Sequence, residues 1–219
     1  MRLPDELDFA TAAGLGCRFA TAHRAVVGQG RVKEGEWVAV HGCGGVGLSA
    51  VMIALAAGAN VVAIDVSERA LAVAHELGAA ATVTSSTVAD VAARVVELTD
   101  GGAHLSIDAL GSASIAVNSI NGLRKRGRHV QVGLMVGTDA QTPVPMDRVI
   151  ARELEILGSH GMAARDYGAM LADITSGRLS PARLVGRTIT LDEAPAALMA
   201  MDGPQPVAGM TVILPAASQ

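Results

Sequence analysis

The sequence is poor in aromatic side chains and in cysteine, and both shortages limit what the chain is. One Trp, one Tyr and two Phe make up about 2% of the 219 residues, while half of all residues are apolar. A core without aromatic rings must consist of Ala, Val, Leu, Ile and Met, which suits an α/β protein with Ala-rich helices over branched strands. Two cysteines without a C-x-x-C pair exclude a disulfide framework and favour a reducing compartment.

Runs of one charge and long uninterrupted apolar runs are also absent. The formal net charge is −4, and the sequence contains no run of basic residues. Nucleic acid is therefore not expected as a partner. The first ten residues are acidic and lack an apolar core region, which favours a cytoplasmic protein over a secreted one. Gly58 and Asn60 interrupt the apolar stretch 48–64, which predicts a buried helix followed by a buried strand and no membrane span.

What the chain does contain is a regular alternation of strand and helix patterns. Six short apolar segments predict strands at 37–41, 61–65, 81–85, 105–110, 128–134 and 154–159. Apolar strands separated by helices are typical of a parallel sheet covered on both faces. We therefore predict an α/β fold with a doubly wound, Rossmann-type six-stranded parallel sheet, and a loop between its fifth and sixth strands. Two later strands, at 187–191 and 210–214, predict part of another sheet.

A glycine-rich turn joins the first predicted strand to the first helix of the sheet. Gly42, Gly44 and Gly47 form the pattern G-x-G-x-x-G. The first glycine permits a tight turn, the second lets a diphosphate approach the backbone, and the third lets helix and strand pack closely. Gly45 and Val46 complete the turn, and the helix N-terminus supplies N–H groups and partial positive charge for phosphates. The pattern predicts a dinucleotide site.

An acidic residue, Asp65, ends the next predicted strand, 18 residues after Gly47. A carboxylate there accepts hydrogen bonds from the adenosine ribose and repels a 2′-phosphate, which favours NAD over NADP. Arg69 is the alternative contact for a 2′-phosphate, although a solvated helix charge is the preferred interpretation. A methyltransferase is a rival binder with a similar turn, but such enzymes usually carry an acid two residues before the first glycine, where this chain has Val40.

Five segments in order resemble the zinc-dependent alcohol dehydrogenases of the medium-chain dehydrogenase/reductase superfamily. They are GCRFATAHRAV, HGCGGVGLSAVMIA, VVAID, IDALGS and GRHVQVGL. The resemblance covers essentially the whole chain but only the coenzyme-binding half of such an enzyme, without its N-terminal catalytic domain. It implies an NAD-binding domain at 18–160, while 1–17 and 161–219 belong to a GroES-like catalytic domain. Whether Met1 starts the whole protein is left open.

The resemblance also implies roles for individual residues. Cys17 corresponds to a ligand of the catalytic zinc, Thr21 to a residue that touches the nicotinamide ring, and Val46 to a residue behind that ring. The nicotinamide half of the site is then lined by Leu110, Gly111, Val132, Gly133 and Leu134. The other two zinc ligands and the proton-relay residue lie in the absent domain. Many relatives carry a basic residue for the diphosphate where this chain has Met210.

Six histidines do not remedy the missing ligands, because none has a recognised ligand spacing to Cys17. Cys43, inside the glycine turn, is interpreted as a small residue near the cofactor. The resemblance implies hydride transfer between NAD(H) and a small alcohol, aldehyde or ketone on zinc, in a homo-oligomer formed through the sixth strand. Two alternatives stay open: an NAD-binding module without dehydrogenase activity, and a zinc-free NADPH quinone or enoyl reductase, against which Cys17 and Asp65 both count.

Overall fold

The computed structural model describes residues 3–203 and 207–215, and its centre is a six-stranded parallel sheet. The six strands are β1 (Trp37–His41), β2 (Asn60–Asp65), β3 (Ala81–Thr84), β4 (Ala103–Asp108), β5 (Leu123–Gln131) and β6 (Glu155–Gly158). Their order across the sheet is β3-β2-β1-β4-β5-β6, and every pair is parallel. The predicted Rossmann-type sheet is confirmed, and the strand order reverses between β1 and β4, where such sheets open a crevice at their carboxyl ends.

Helices cover both faces of this sheet, and further helices lie in the first and last segments of the chain. In chain order, the α-helices of the described residues are α1 (Phe9–Ala13), α2 (Ala20–His23), α3 (Gly45–Ala56), α4 (Glu68–Leu77), α5 (Val91–Leu98), α6 (Ala113–Asn121), α7 (Met146–Arg152), α8 (Tyr167–Thr175) and α9 (Ala194–Met199). Two π-helical stretches, Leu15–Phe19 and Arg24–Gln29, flank α2. Alternate residues of the strands point to opposite faces, so that Val38 and Val40 of β1 pack on the α3 side and Ala39 packs on the other.

The apolar stretch 48–64 divides as predicted into a helix and a strand. α3 is followed by Gly58 in the left-handed region at φ +79°, and β2 begins at Asn60. Most of α3 is buried, which explains why its sequence is apolar nearly all round. None of the helices within the described residues is long and apolar enough to cross a membrane.

The predicted ends of two strands need correction. The fourth strand ends at Asp108, before the predicted 110, because the Asp108 carboxylate accepts the N–H groups of Leu110 (2.8 Å) and Gly111 (2.9 Å) and turns the chain. The fifth strand begins at Leu123, five residues before the predicted start. The predicted loop before the sixth strand contains α7, which begins directly after Pro145 because proline is tolerated at the start of a helix.

The two late strands form a separate parallel pair, β7 (Val185–Ile189) and β8 (Met210–Ile213). One face of the pair is buried within this chain through Ile189, Met210 and Val212. The predicted second sheet is therefore present, and one of its faces is already covered. Leu191 and Ile213 remain exposed.

Candidate functional site

Each glycine of the turn after β1 meets a different spatial constraint. Gly42 has φ +90°, and a Cβ on it would lie 2.5 Å from Cγ of Leu110. A Cβ on Gly47 would overlap the carbonyl oxygen of Gly42, so the close packing of strand and helix requires glycine there. Gly44, by contrast, has no heavy atom of the described residues within 4 Å of its Cβ position. The backbone at Gly44 is open to an incoming group.

No side chain of residues 3–203 or 207–215 caps the N-terminus of α3. Its first N–H groups have no partner within the helix, and Gly44 at the capping position offers no side chain. In α4 the hydroxyl of Ser67 accepts from the N–H of Ala70 at 3.3 Å, and in α5 the carboxylate of Asp90 accepts from the N–H of Ala93 at 2.9 Å. The exposed end of α3 thus combines free donors with the positive end of a helix dipole, an arrangement suited to an anion.

The Asp65 carboxylate at the end of β2 points at the glycine turn. Its Oδ2 accepts the N–H of Cys43 at 2.6 Å, and its Oδ1 accepts the N–H of Ser67 at 2.8 Å. These two bonds fix the carboxylate at the carboxyl edge of the sheet while leaving lone pairs on both oxygens for other donors. Arg69 lies on the exposed side of the first turn of α4.

The turns after β4 and β5 are pressed together backbone to backbone. Gly111 has φ +89°, and a Cβ on it would overlap the carbonyl oxygen of Leu134. A Cβ on Gly133 would overlap the backbone nitrogen of Gly111. The N–H groups of Val132 (3.0 Å) and Gly133 (2.8 Å) both donate to the carbonyl of Asp108. The structure therefore gathers the five residues predicted for the nicotinamide half into one cluster.

His41 and a small cavity complete the carboxyl edge. The cavity measures about 90 Å³ and is lined by residues that include His41, Ile64, Leu110 and Asn118. Burial lowers the pKa of His41 to about 3, and repulsion from His129 adds to the effect. The imidazole is therefore neutral, and its buried Nε2 has no hydrogen-bond partner within the described residues. His41 is one of the six histidines without a ligand spacing to Cys17, and its position directly before Gly42 is the signal that could have placed it at this edge.

Cys17 and Thr21 lie on the helical segment that packs against α3. Cys17 is exposed in the π-helical stretch Leu15–Phe19, and Thr21 is half-buried in α2. In the part of the chain that the structure describes, no three His, Cys, Asp or Glu side chains are grouped where they would hold a metal ion. A zinc ion needs at least three protein ligands, so the described residues do not fit one on their own.

Cys43 is buried, and burial raises the pKa of its thiol to about 12, with the nearby Asp65 charge adding to the shift. Its Sγ faces the Ile64 carbonyl oxygen at 3.8 Å. A thiol with so high a pKa is rarely ionised, and it is therefore a poor metal ligand. Cys43 contributes its backbone N–H to the site, and no sequence pattern indicated that contact.

A larger groove adjoins the cavity beside His41 and shares Ser85, Val91 and Asn118 with it. It has a volume of about 720 Å³ and runs between α5, α6 and α7. Its two arginines are engaged with backbone: Arg148 donates to the carbonyl of Asn121 at 2.9 Å and Arg152 to that of Leu123 at 2.8 Å. These contacts stabilise the end of α6 and give the groove no chemistry comparable to that of the glycine turn.

Comparison with known proteins identifies relatives of the chain. The family described as "Zinc-binding dehydrogenase" matches residues 45–176. An alcohol dehydrogenase of Geobacillus stearothermophilus is 32% identical over 179 residues, covering 82% of this chain and 51% of the relative. The 5-exo-hydroxycamphor dehydrogenase of Pseudomonas putida is 33% identical over 207 residues, covering 90% and 56%.

The fold likewise matches a solved structure. The crystal structure of benzyl alcohol dehydrogenase from Acinetobacter calcoaceticus superposes with a TM-score of 0.88 at 24% identity, covering 97% of this chain and 59% of that one. The chain thus spans little more than half the length of the relatives that it matches.

Proposed function

The chain belongs to the zinc-binding dehydrogenase family of the medium-chain dehydrogenase/reductase superfamily, and from this premise we propose that it is the coenzyme-binding part of an NAD-dependent alcohol dehydrogenase. The observation that carries the proposal is the Asp65 carboxylate, held by the Cys43 N–H beside an uncapped helix N-terminus. This pairing supports the proposal, because NAD binding needs a ribose acceptor beside a diphosphate site.

In this proposal, the residues of the glycine turn bind the cofactor through its diphosphate and ribose. The open backbone at Gly44 and the free N–H groups of α3 receive the diphosphate. Asp65 accepts from the adenosine ribose hydroxyls and, by repulsion, rejects a 2′-phosphate. The cavity beside His41 receives the adenine base that is attached to this ribose.

The clustered turns at Gly111 and Gly133, with Val46 and Thr21, are proposed to orient the nicotinamide. When bound, NAD would supply the nicotinamide carbon that accepts a hydride from the alcohol carbon, while the hydroxyl proton is released to water and the alcohol becomes an aldehyde or ketone. The chain's own residues hold the ring and exclude water from it, which favours transfer by proximity and orientation. The relatives' names support a small alcohol or carbonyl compound as the substrate class.

Zinc enters the proposal only through Cys17. Because the described residues bring no second and third ligand to it, we derive no step through the metal. The same observation favours a second candidate, in which the 219-residue chain binds NAD without oxidising alcohols. Formation of NADH from NAD and an alcohol by the purified chain would exclude this second candidate.

We also propose a domain division and an assembly. Residues 18–160 form the coenzyme domain, and 1–17 and 161–219 belong to the catalytic domain of a cytoplasmic enzyme.

The proposed assembly forms at the edge strand β6, which pairs with β5 on one side and exposes Ile156 at 40%. A second copy of the chain binds along this edge. Sedimentation equilibrium tests this interface, because Ile156→Glu should shift the chain towards monomer. An unchanged mass distribution would refute the proposed interface.

Cofactor binding tests the central proposal. Titration of the chain with NADH and NADPH, followed by nicotinamide fluorescence, should show a preference for NADH of at least about tenfold. Asp65→Ala should weaken NADH binding about tenfold and shrink this preference, since it removes both an acceptor and a repelling charge. The exposed Asp147→Ala is the matched control and should change neither affinity. Equal affinities of the wild-type and Asp65→Ala chains would remove the ribose contact.

A further inference from the structure

Arg18 lies across the first turn of α3. A Cβ placed on Gly45 would lie 2.5 Å from Cδ of Arg18, 3.0 Å from its Nε and 3.3 Å from its Nη1. The arginine therefore occupies the space that a side chain at position 45 would need. Because these atoms belong to the flexible end of the arginine, a side chain at position 45 would displace Arg18 from the turn.

Within the part of the chain that the structure describes, no carboxylate balances the guanidinium of Arg18. Among the residues that the structure describes, no ion pair or hydrogen bond engages the Arg18 side chain, which is half-buried. On the same helical segment, Arg24 faces Asp166 at 3.9 Å. A cation at the positive end of a helix dipole is unfavourable by itself. An anion bound between Arg18 and the N-terminus of α3 would balance both positive charges.

The described final strand, β8, offers the diphosphate no basic residue. Its first residue, Met210, is 1% exposed, and the Met210 side chain points into the core with its Cε 2.6 Å from the Cβ position of Gly14. Arg18, which lies against the first turn of α3, is placed to provide a counter-charge.

We propose that Arg18 donates hydrogen bonds to the diphosphate of the bound dinucleotide. The inference rests on the proposed function, because it assigns a further contact in the same site. A guanidinium is suited to this role, since it offers several donors in a planar fork that match phosphate oxygens. Arg18 thereby sets cofactor affinity and takes no part in the hydride transfer.

The first test compares ligands with and without a diphosphate. ADP-ribose and adenosine are each competed against NADH on the full 219-residue chain, at low and at high salt. Arg18→Gln should weaken ADP-ribose binding on the order of tenfold and flatten its salt dependence, with adenosine unchanged. Arg24→Gln removes a positive charge from the same segment and should leave both affinities unchanged. Equal ADP-ribose affinity in the wild-type and Arg18→Gln chains overturns the proposal, and so does an equal loss for both ligands.

A second variant moves the arginine without removing its charge. Gly45→Ala forces the flexible end of Arg18 away from the turn, so it should weaken ADP-ribose binding as well. If it acts through Arg18, it should add less than about twofold in the Arg18→Gln background. A full additive loss would contradict this. Failure of the wild-type chain to bind NADH at all would overturn the proposed function itself, whereas NADH binding that ignores Arg18 overturns only this contact.

Discussion

The glycine turn and the Cys17 segment lie side by side but differ in completeness. At the turn, Asp65 is bonded to the Cys43 N–H, and the neighbouring turns at Gly111 and Gly133 are in backbone contact, all from within the chain. Cys17 is exposed, and no grouped metal ligands accompany it among the described residues. The difference teaches that the proposed dinucleotide site and a metal site are separable, because the described residues complete the contacts of the first and do not group ligands for the second.

The largest expected contrast is between the two thiols. With a pKa of about 12, Cys43 is ionised in only about one molecule in ten thousand at pH 8, and it is buried as well. Iodoacetamide should label the exposed Cys17 more than about a thousandfold faster, as measured by peptide mass spectrometry over time. Both thiols should react alike in denaturant. Similar rates in the native chain would show that the turn is open and that the comparison fails.

Two glycines of the turn should differ in their effect on stability. Gly47→Ala sets a Cβ against the Gly42 carbonyl, with backbone on both sides, so we expect a loss of about 3 kcal/mol in the free energy of unfolding. Gly44→Ala enters open space and should cost less than about 1 kcal/mol. Urea unfolding measures both. Equal losses would mean that helix and strand are not packed as closely as described.

Acid should destabilise the chain through His41. Its pKa is about 3 in the folded state and 6.5 ordinarily, so the unfolded chain binds a proton that the folded chain refuses. The contribution is fully present above pH 6.5 and declines by about 1.4 kcal/mol per pH unit as the pH falls towards 3. Urea unfolding between pH 7.5 and 4.5 measures how the free energy of unfolding depends on pH. In His41→Leu this slope should be smaller by about 1.4 kcal/mol per pH unit, which corresponds to one proton fewer taken up on unfolding. An unchanged slope would place His41 in contact with solvent.

Much of the fold could be predicted from the sequence because its signals are local. Apolar strands, the capping Ser67 and the glycine turn each depend on neighbouring residues, and the six-stranded sheet followed from them. The early start of β5 was missed because Arg124 and Arg126 interrupt its apolar pattern. α7 was missed because Pro145 indicated a loop, whereas it precedes the first helical residue.

The site was predictable to a similar limit. The glycines and Asp65 lie in one short pattern with a known spacing, so sequence alone placed them together. Arg18 and Gly45 are brought into contact by the packing of a π-helical stretch on α3, and no spacing in the sequence encodes that. The isolation of Cys17 depends on which residues surround it, which likewise only the structure shows.

The most direct test of whether the glycine turn binds its cofactor independently of the Cys17 segment is a titration of the chain with NADH. The titration is done with and without a metal chelator and is repeated for Cys17→Ser. Because the glycine turn is complete without metal, we predict one NADH bound per chain and dissociation constants that agree within about twofold under all conditions. A chain that binds no NADH, or one that loses binding on chelation or on removal of the Cys17 thiol, would contradict the account.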